Sequence, residues 1–401
     1  MDLHSGLPFW IVKNELYDYF NPLREDYKVD VAIIGSGITG ALVAHELCNA
    51  GIQCAIFDKR TLCTGSSAAS TSQLQYEIDV PLVDIIRMHG EMKAVAAYKE
   101  SLNAISSIEK VFKSIRDNAD FKRISSIYAA SDRKGLKLIV KEYEARIKHG
   151  LPVEFLDEQQ LWDKHHIKRR GALKNNEAAQ MDCYQGAVDL LRHHHAKNKL
   201  PLFSHTEIES FEEIKGGYHL MTTTGLKIKC GYLVIAAGFE AGKFLPKKVM
   251  NLNSTYAIVS QPVDEHQLWP EKSLIWETKQ PYCYMRTTED NRMIVGGEDI
   301  PYQSEITRDR LLRKKIARLE KAFSKLYPDI PFITDMAWCG TFSSTEDGLP
   351  YIGSWPGKNN MLFALGYGGN GITFSMIAAQ VITNIISGKK DERQELFGFE
   401  R

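Results

Sequence analysis

The sequence predicts an α/β chain in which a doubly wound, mostly parallel sheet is interleaved with an α+β part built on an antiparallel sheet. Three observations carry this expectation. A nearly continuous apolar run, Val29 to Ile34, leads into a glycine-rich turn and a helix, as in a βαβ unit. Two long stretches place apolar residues at three- and four-residue intervals with charges between, the pattern of amphipathic helices. Short strand-like pieces lie between those stretches, which suits an antiparallel sheet inserted into a parallel one.

In chain order, residues 1–27 are polar and aromatic, with Trp10, Tyr17, Tyr19 and Phe20, and are expected to form an arm packed on the body. The strand from Val29 to Ile34 is followed by a helix to about Asn49, with Gly51 as its stop, and by a strand from Gln53 to Asp58. The first long helix carries Val95, Tyr98, Leu102, Ile105, Phe112 and Ile115 on one face. Strands are expected at Ile124 to Ala130, Tyr218 to Thr222, Leu233 to Ala236, Tyr256 to Ser260, Tyr282 to Arg286 and Met293 to Val295. The second long helix carries Leu311, Leu312, Ile316, Leu319, Phe323 and Leu326, and a last helix runs to about Ile386. Short linkers imply interleaved domains. Residues 28–90, 180–245 and 335–401 are expected to form the dinucleotide side, and 91–179 with 246–334 a substrate or cap side.

Composition narrows the function. With 401 residues, 44% of them hydrophobic, the chain can bury a large core. Fifty basic residues balance fifty acidic ones, so net charge gives no reason to expect nucleic acid or an anionic membrane as partner. The N-terminus lacks the basic region and apolar run of a secretory signal, and no apolar stretch is long enough for an integral membrane segment. The seven cysteines form no Cys-x-x-Cys pair, which favours reduced thiols in a cytoplasmic protein. His193, His194 and His195 are consecutive on an expected helix and point in different directions, so they are expected on the helix surface and not at a metal.

The first site-bearing segment is Gly35-Ser36-Gly37-Ile38-Thr39-Gly40, a Gly-x-Gly-x-x-Gly turn between strand and helix. Gly35 permits the tight turn, Gly37 lets backbone approach a pyrophosphate, and Gly40 allows close helix packing. The helix N-terminus offers N–H groups and partial positive charge to phosphates. Asp58 ends the next strand, near the spacing of about 20 residues expected for ribose recognition. The plainer alternative, a glycine turn with a strand-end aspartate, explains fewer of these coincidences. The unit is therefore expected to be Rossmann-like.

Two further segments separate FAD from a nicotinamide. Gly65, Ser66 and Ser67, within a run of small and hydroxylic residues, can line a diphosphate and ribityl chain. Near the end of the chain, Gly368, Gly369, Asn370, Gly371, Ile372 and Thr373 open a second helix. A second N–H-rich helix start suits the negative charge that a reduced flavin develops, whereas a nicotinamide needs no such cradle.

With these motifs in hand, the sequence resembles the D-amino-acid oxidase superfamily of flavoproteins, which includes glycine, sarcosine and gamma-glutamylputrescine oxidases. The resemblance rests on Ile33 to Gly40 with Asp58, Lys59 and Arg60, on Thr64 to Ser72, and on Leu233 to Gly238 with Ala237. It continues through Trp338 to Thr341 with Gly340, Thr345 to Gly353, and Gly366 to Thr373. It implies an FAD-binding domain joined to an antiparallel substrate domain. It also implies hydride transfer from a carbon beside nitrogen to flavin N5, with oxygen or another acceptor taking the electrons.

The resemblance places the Pro281–Arg286 and Asn291–Gly297 segments as a hairpin over the flavin. On it, Arg286 is the candidate to hold a substrate carboxylate, since a guanidinium makes two parallel bonds to that group. Tyr284 and Tyr256 are candidate pocket walls or hydroxyl donors. Sarcosine oxidases carry a lysine two residues before the hairpin glycine, where this chain has Ile294. Cys339 invites comparison with relatives that tether flavin through cysteine, though a buried, inert thiol is the simpler expectation. Competing functions are a 2-hydroxy-acid or glycerol-phosphate dehydrogenase, a flavoprotein subunit of an electron-transfer complex, and an NAD-binding regulatory module.

Overall fold

Val31 to Ile34 are buried on both faces because their strand, Tyr27–Ile34, lies in the middle of a parallel sheet. The computed structural model describes residues 4–16, 20–115 and 118–401. Strand Tyr27–Ile34 pairs with Cys54–Phe57 on one side and Lys227–Ile235 on the other, both parallel. Leu202–Phe203 and Lys358–Leu365 extend the two edges in parallel, and Tyr351–Trp355 closes one edge antiparallel. Helix Ile38–Asn49 packs between helices Cys183–Asn198 and Gly371–Ile386. This placement explains why nine of its residues are buried instead of a single stripe.

The second sheet runs in the order His4–Gly6, Thr334–Ser344, Asn251–Ser260, Met293–Pro301, Cys283–Thr287, Leu274–Glu277, Lys122–Ala129, Gly171–Gln180, Gln73–Leu74. Its pairs are antiparallel except Leu274–Glu277 against Lys122–Ala129. Helix Glu305–Leu326 covers this sheet, burying Leu319, Phe323 and Leu326. The doubly wound sheet with an interleaved, predominantly antiparallel one is the expected architecture.

Three segments fall on the other side of the expected division, among them strand Gln73–Leu74, expected on the dinucleotide side but paired with Gly171–Gln180 in the second sheet. Helix Glu91–Ser114, expected in the cap, packs on the Gly371–Ile386 helix and shares a core with Val31 and Ile33. Its buried face includes Ala94, Ala97 and Ser101, small enough for close helix approach, beside the larger Tyr98. Strand Thr334–Ser344, expected on the dinucleotide side, pairs along Asn251–Ser260 in the second sheet. The arm does pack on the body. Phe9 and Trp10 are buried, Trp10 Nε1 donates to the Ser70 carbonyl at 2.6 Å, and Phe20 joins the core. Tyr17 and Tyr19 lie outside the described residues.

The histidine run needs correction. His194 is buried, and its Nε2 lies 2.9 Å from His45 Nδ1. The helix turns this one residue of the three toward its neighbour. Burial, then His194, pushes the His45 imidazole down to about 4. Among the described residues no three metal-binding side chains cluster, and no helix is long and apolar enough to cross a membrane. The seven cysteines are unbridged.

Candidate active site

The glycine turn is fixed by contacts that exclude a side chain. Gly35 has φ +105°, and a Cβ there would sit 2.5 Å from the Ala236 carbonyl oxygen. A Cβ on Gly40 would lie 1.9 Å from the Gly35 oxygen, so only glycine lets the helix start sit down on the turn. Ile38 N–H donates to Ser67 Oγ at 2.9 Å, which joins the turn to the Gly65–Ser67 segment. No side chain caps the Ile38–Asn49 helix. Its first-turn N–H groups other than that of Ile38, which Ser67 Oγ takes, are therefore available to an anion.

Asp58 stands beside this turn. Its carboxylate accepts from Ser36 N–H at 2.8 Å, Ser36 Oγ at 2.6 Å and Arg60 N–H at 2.9 Å. A carboxylate has about four acceptor sites, so one stays open for a ribose hydroxyl. Lys59 and Arg60 do not face phosphate as free charges. They bind the Glu240 carboxylate at 2.7 and 3.0 Å. Those two cations also hold the Glu240 carboxyl below its ordinary range, against a burial effect that is larger on its own.

At the far end of the chain, Asn370 precedes helix Gly371–Ile386, again without a side-chain cap on the helix. The Asn370 side chain reaches away from the helix. Its Nδ2 donates to the carbonyls of Gln75 at 3.3 Å and Glu77 at 2.7 Å, and its Oδ1 accepts from Asp79 N–H at 3.1 Å. Asp79 in turn accepts from Tyr282 Oη at 2.9 Å and from Gly369 N–H. A Cβ on Gly368 or Gly369 would lie 2.7 Å from the Asp79 carboxylate, and Gly368 has φ +58°, so a side chain here would displace Asp79.

These elements enclose a cavity of about 320 Å3 lined by both sheets. Gly35, Gly37, Ile38, Thr39, Asp58, Lys59, Arg60, Gly65, Ser66, Ser67, Ala237, Gly238, Gly340, Gly368, Gly369, Asn370, Gly371 and Ile372 line it. Ser36, Gly40 and Thr373 stand behind its wall. Ser36 braces Asp58, Gly40 seats the helix, and Thr373 donates to the Asn370 carbonyl at 2.9 Å.

The three residues expected at the substrate separate. Tyr284 lines the cavity, with its ring over Gly296 and its hydroxyl 3.5 Å from Thr255 Oγ1. Burial, reinforced by Asp299, pushes its phenol up and keeps it protonated. Tyr256 is instead a core residue, donating to the Arg308 carbonyl at 3.2 Å. Arg286 is not brought to the cavity either. It is 2% exposed and donates to the carbonyls of Thr71 at 3.1 Å, Ser72 at 2.9 Å, Met181 at 2.8 Å and Thr287 at 3.1 Å. Its bonds hold the chain segment that forms the cavity wall. Cys339 is buried 2.9 Å from Ser5 Oγ and is not a lining residue.

Asp79, Thr255 and Asp299 were missed by the sequence reading and line the cavity, beside Tyr282 of the expected hairpin. Burial, with the charge of Asp79 adding, raises Asp299 to about 6. Burial also raises Asp79, against the bonds from Gly369 and Tyr282. The spacing Tyr282-x-Tyr284 on one expected strand was the available signal, since alternate residues share a face.

A cavity flanked by two uncapped helix starts, each preceded by a glycine-rich turn, has the donor set for a dinucleotide with a second anionic group at its far end. Fold and site thus define a dinucleotide-dependent oxidoreductase class. Residues 30–385 match the DAO family of FAD dependent oxidoreductases, and the chain belongs to it. It is an enzyme whose cofactor is FAD. Glycine oxidase of Geobacillus kaustophilus is 25% identical over 373 residues, covering 91% of this chain and 94% of that one. Gamma-glutamylputrescine oxidoreductase of Escherichia coli is 22% identical over 390 residues, covering 93% and 87%. The structure of L-alpha-glycerophosphate oxidase from Mycoplasma pneumoniae with FAD bound superposes with a TM-score of 0.75 at 14% identity, covering 90% and 95%.

Proposed function

We propose that the chain oxidises the carbon beside nitrogen in a small amine or amino acid, giving an imine. The Gly35–Gly40 turn with Asp58, the Gly65–Ser67 segment and the Gly368–Ile372 loop would hold FAD, which would supply a hydride acceptor at N5. The observation that supports this best is the cavity's composition beyond those cradles. Tyr284, Thr255 and Tyr282 provide hydroxyls, and Asp79 and Asp299 provide acceptors for nitrogen-bound hydrogens. An amine must be neutral as its carbon loses hydride. Asp299, raised to about 6 by burial, is ionised at neutral pH and offers its charge to a nitrogen in the cavity.

Oxidation of a CH–OH group is the second reading, because a glycerophosphate oxidase shares the fold. The acidic lining favours nitrogen over a phosphate- or carboxylate-bearing alcohol. Oxygen or another acceptor then takes the electrons, and the free thiols suit a cytoplasmic location. The test is anaerobic mixing of holoprotein with amines, amino acids and 2-hydroxy acids. Bleaching of the oxidised flavin band by a nitrogen compound is expected; bleaching by hydroxy acids alone would overturn the reading.

A further inference from the structure

Charge divides the cavity into two ends. Among the described residues that line it, the cations are Lys59, Arg60 and Lys243. All three contact the Glu240 carboxylate, at 2.7, 3.0 and 3.5 Å. That cluster adjoins Asp58, at the ribose end. The other end holds Asp79 and Asp299 and no lining cation.

These two carboxylates lack a counter-charge. Asp79 is held only by the neutral donors Tyr282 Oη and Gly369 N–H. Asp299 Oδ1 is buried with no hydrogen-bond partner. Lys315, a cation whose field reaches Asp299, gives its ammonium to the Glu298 carbonyl at 2.6 Å and carboxylate at 3.0 Å, outside the lining. Arg286, the expected carboxylate anchor, is committed to backbone carbonyls. Burying carboxylates without a cation is costly, and removing the remaining solvent with a ligand raises that cost unless the ligand brings the charge.

The aromatic walls agree. Tyr282 and Tyr284 lie with ring centroids 5.7 Å apart, and Trp276 sits 5.9 Å behind Tyr282. Such ring faces attract cations.

We propose that the substrate is a cationic amine carrying two nitrogens and no carboxylate, one nitrogen remaining charged between Asp79 and Asp299 while the other, neutral, bears the carbon to be oxidised. This rests on the amine reading above and narrows it. An amino acid would bring its carboxylate into an acidic end with no guanidinium or ammonium to receive it. A diamine matches the sign of that end and leaves one nitrogen free to lose its proton.

The test uses FAD-loaded protein at constant ionic strength, with two readouts. The first is perturbation of the flavin absorption band by tetramethylammonium chloride, a cation that is not oxidised, against sodium acetate. Tetramethylammonium should bind and acetate should not. Asp299→Asn should weaken the cation about tenfold or more, the scale of one charge-assisted contact. It should keep its FAD and melting temperature, because Oδ1 has no partner in the protein. Asp79→Asn should act in the same direction. Acetate binding in place of the cation, or undiminished cation binding by Asp299→Asn, would overturn the proposal.

The second readout is anaerobic bleaching by 1,4-diaminobutane against N-methylglycine. Faster bleaching by the diamine supports the proposal. Bleaching by N-methylglycine alone overturns it and leaves the amine reading standing. Bleaching by neither, with Asp299-dependent cation binding intact, supports the cation site and retires the hydride reading instead.

Discussion

Asn370→Ala tests whether the late glycine loop is held in place by a single side chain. The asparagine makes three bonds to the Gln75–Asp79 segment, at 3.3, 2.7 and 3.1 Å. Alanine leaves the Glu77 carbonyl and the Asp79 N–H without partners, at about 1–3 kcal/mol each. The longest bond, to Gln75, contributes least. The expected loss is about 3 kcal/mol, and it falls on the loop because the helix keeps its backbone bond from Phe374 N–H to the Asn370 carbonyl. If binding must restore the loop, about 3 kcal/mol corresponds to roughly a hundredfold weaker FAD affinity. The assay is fluorescence titration of apoprotein with FAD, beside thermal unfolding of apo and holo forms. An unchanged dissociation constant together with unchanged melting of the holoprotein would refute the reasoning.

Three further outcomes follow from the same contacts. Gly37→Val should leave the protein folded but without cofactor, since its side chain meets only Ser67 Oγ at 3.0 Å and otherwise fills the cavity; purification with full flavin content would contradict this. Arg286→Met should lower stability by about 3–5 kcal/mol by orphaning buried carbonyls, with KM little changed in the folded fraction. A raised KM for a carboxylate-bearing substrate at unchanged stability would restore its anchoring role. Cation binding should weaken as pH falls through about 6, because Asp299, facing Asp79, Lys315 and Glu298, is charged above that value and neutral below it. Binding that is flat from pH 5 to 8, measured by the same flavin perturbation, would remove Asp299 from the site.

The cofactor half of the site was legible because its constraints are local. Gly35, Gly37 and Gly40 act within one turn, and their spacing states the geometry directly. The Gly368–Gly371 loop announces itself through the abrupt change from glycine to an apolar helix. The substrate half depends on contacts across the sequence. Asp79 matters because Tyr282 and Gly369, 203 and 290 residues away, donate to it. Arg286 shows the limit of strand parity. It shares a side of its strand with Tyr284, but each two-residue step advances about 7 Å. That step carries Arg286 past the cavity and under Thr71 and Ser72. Strand Gly171–Gln180 went unread for a related reason. Its Asn and Ala residues lack strand propensity, and pairing with Lys122–Ala129 and Glu154–Asp157 recruits it.

The central claim is that a carbon–hydrogen bond beside nitrogen breaks as the flavin is reduced in this cavity. Its most direct measurement is rapid anaerobic mixing of holoprotein with an oxidisable amine and with the same amine deuterated at that carbon. Loss of the oxidised flavin band, slowed several-fold by deuterium, is the predicted result. A band that no nitrogen compound bleaches, or a protein that binds no flavin, would contradict it.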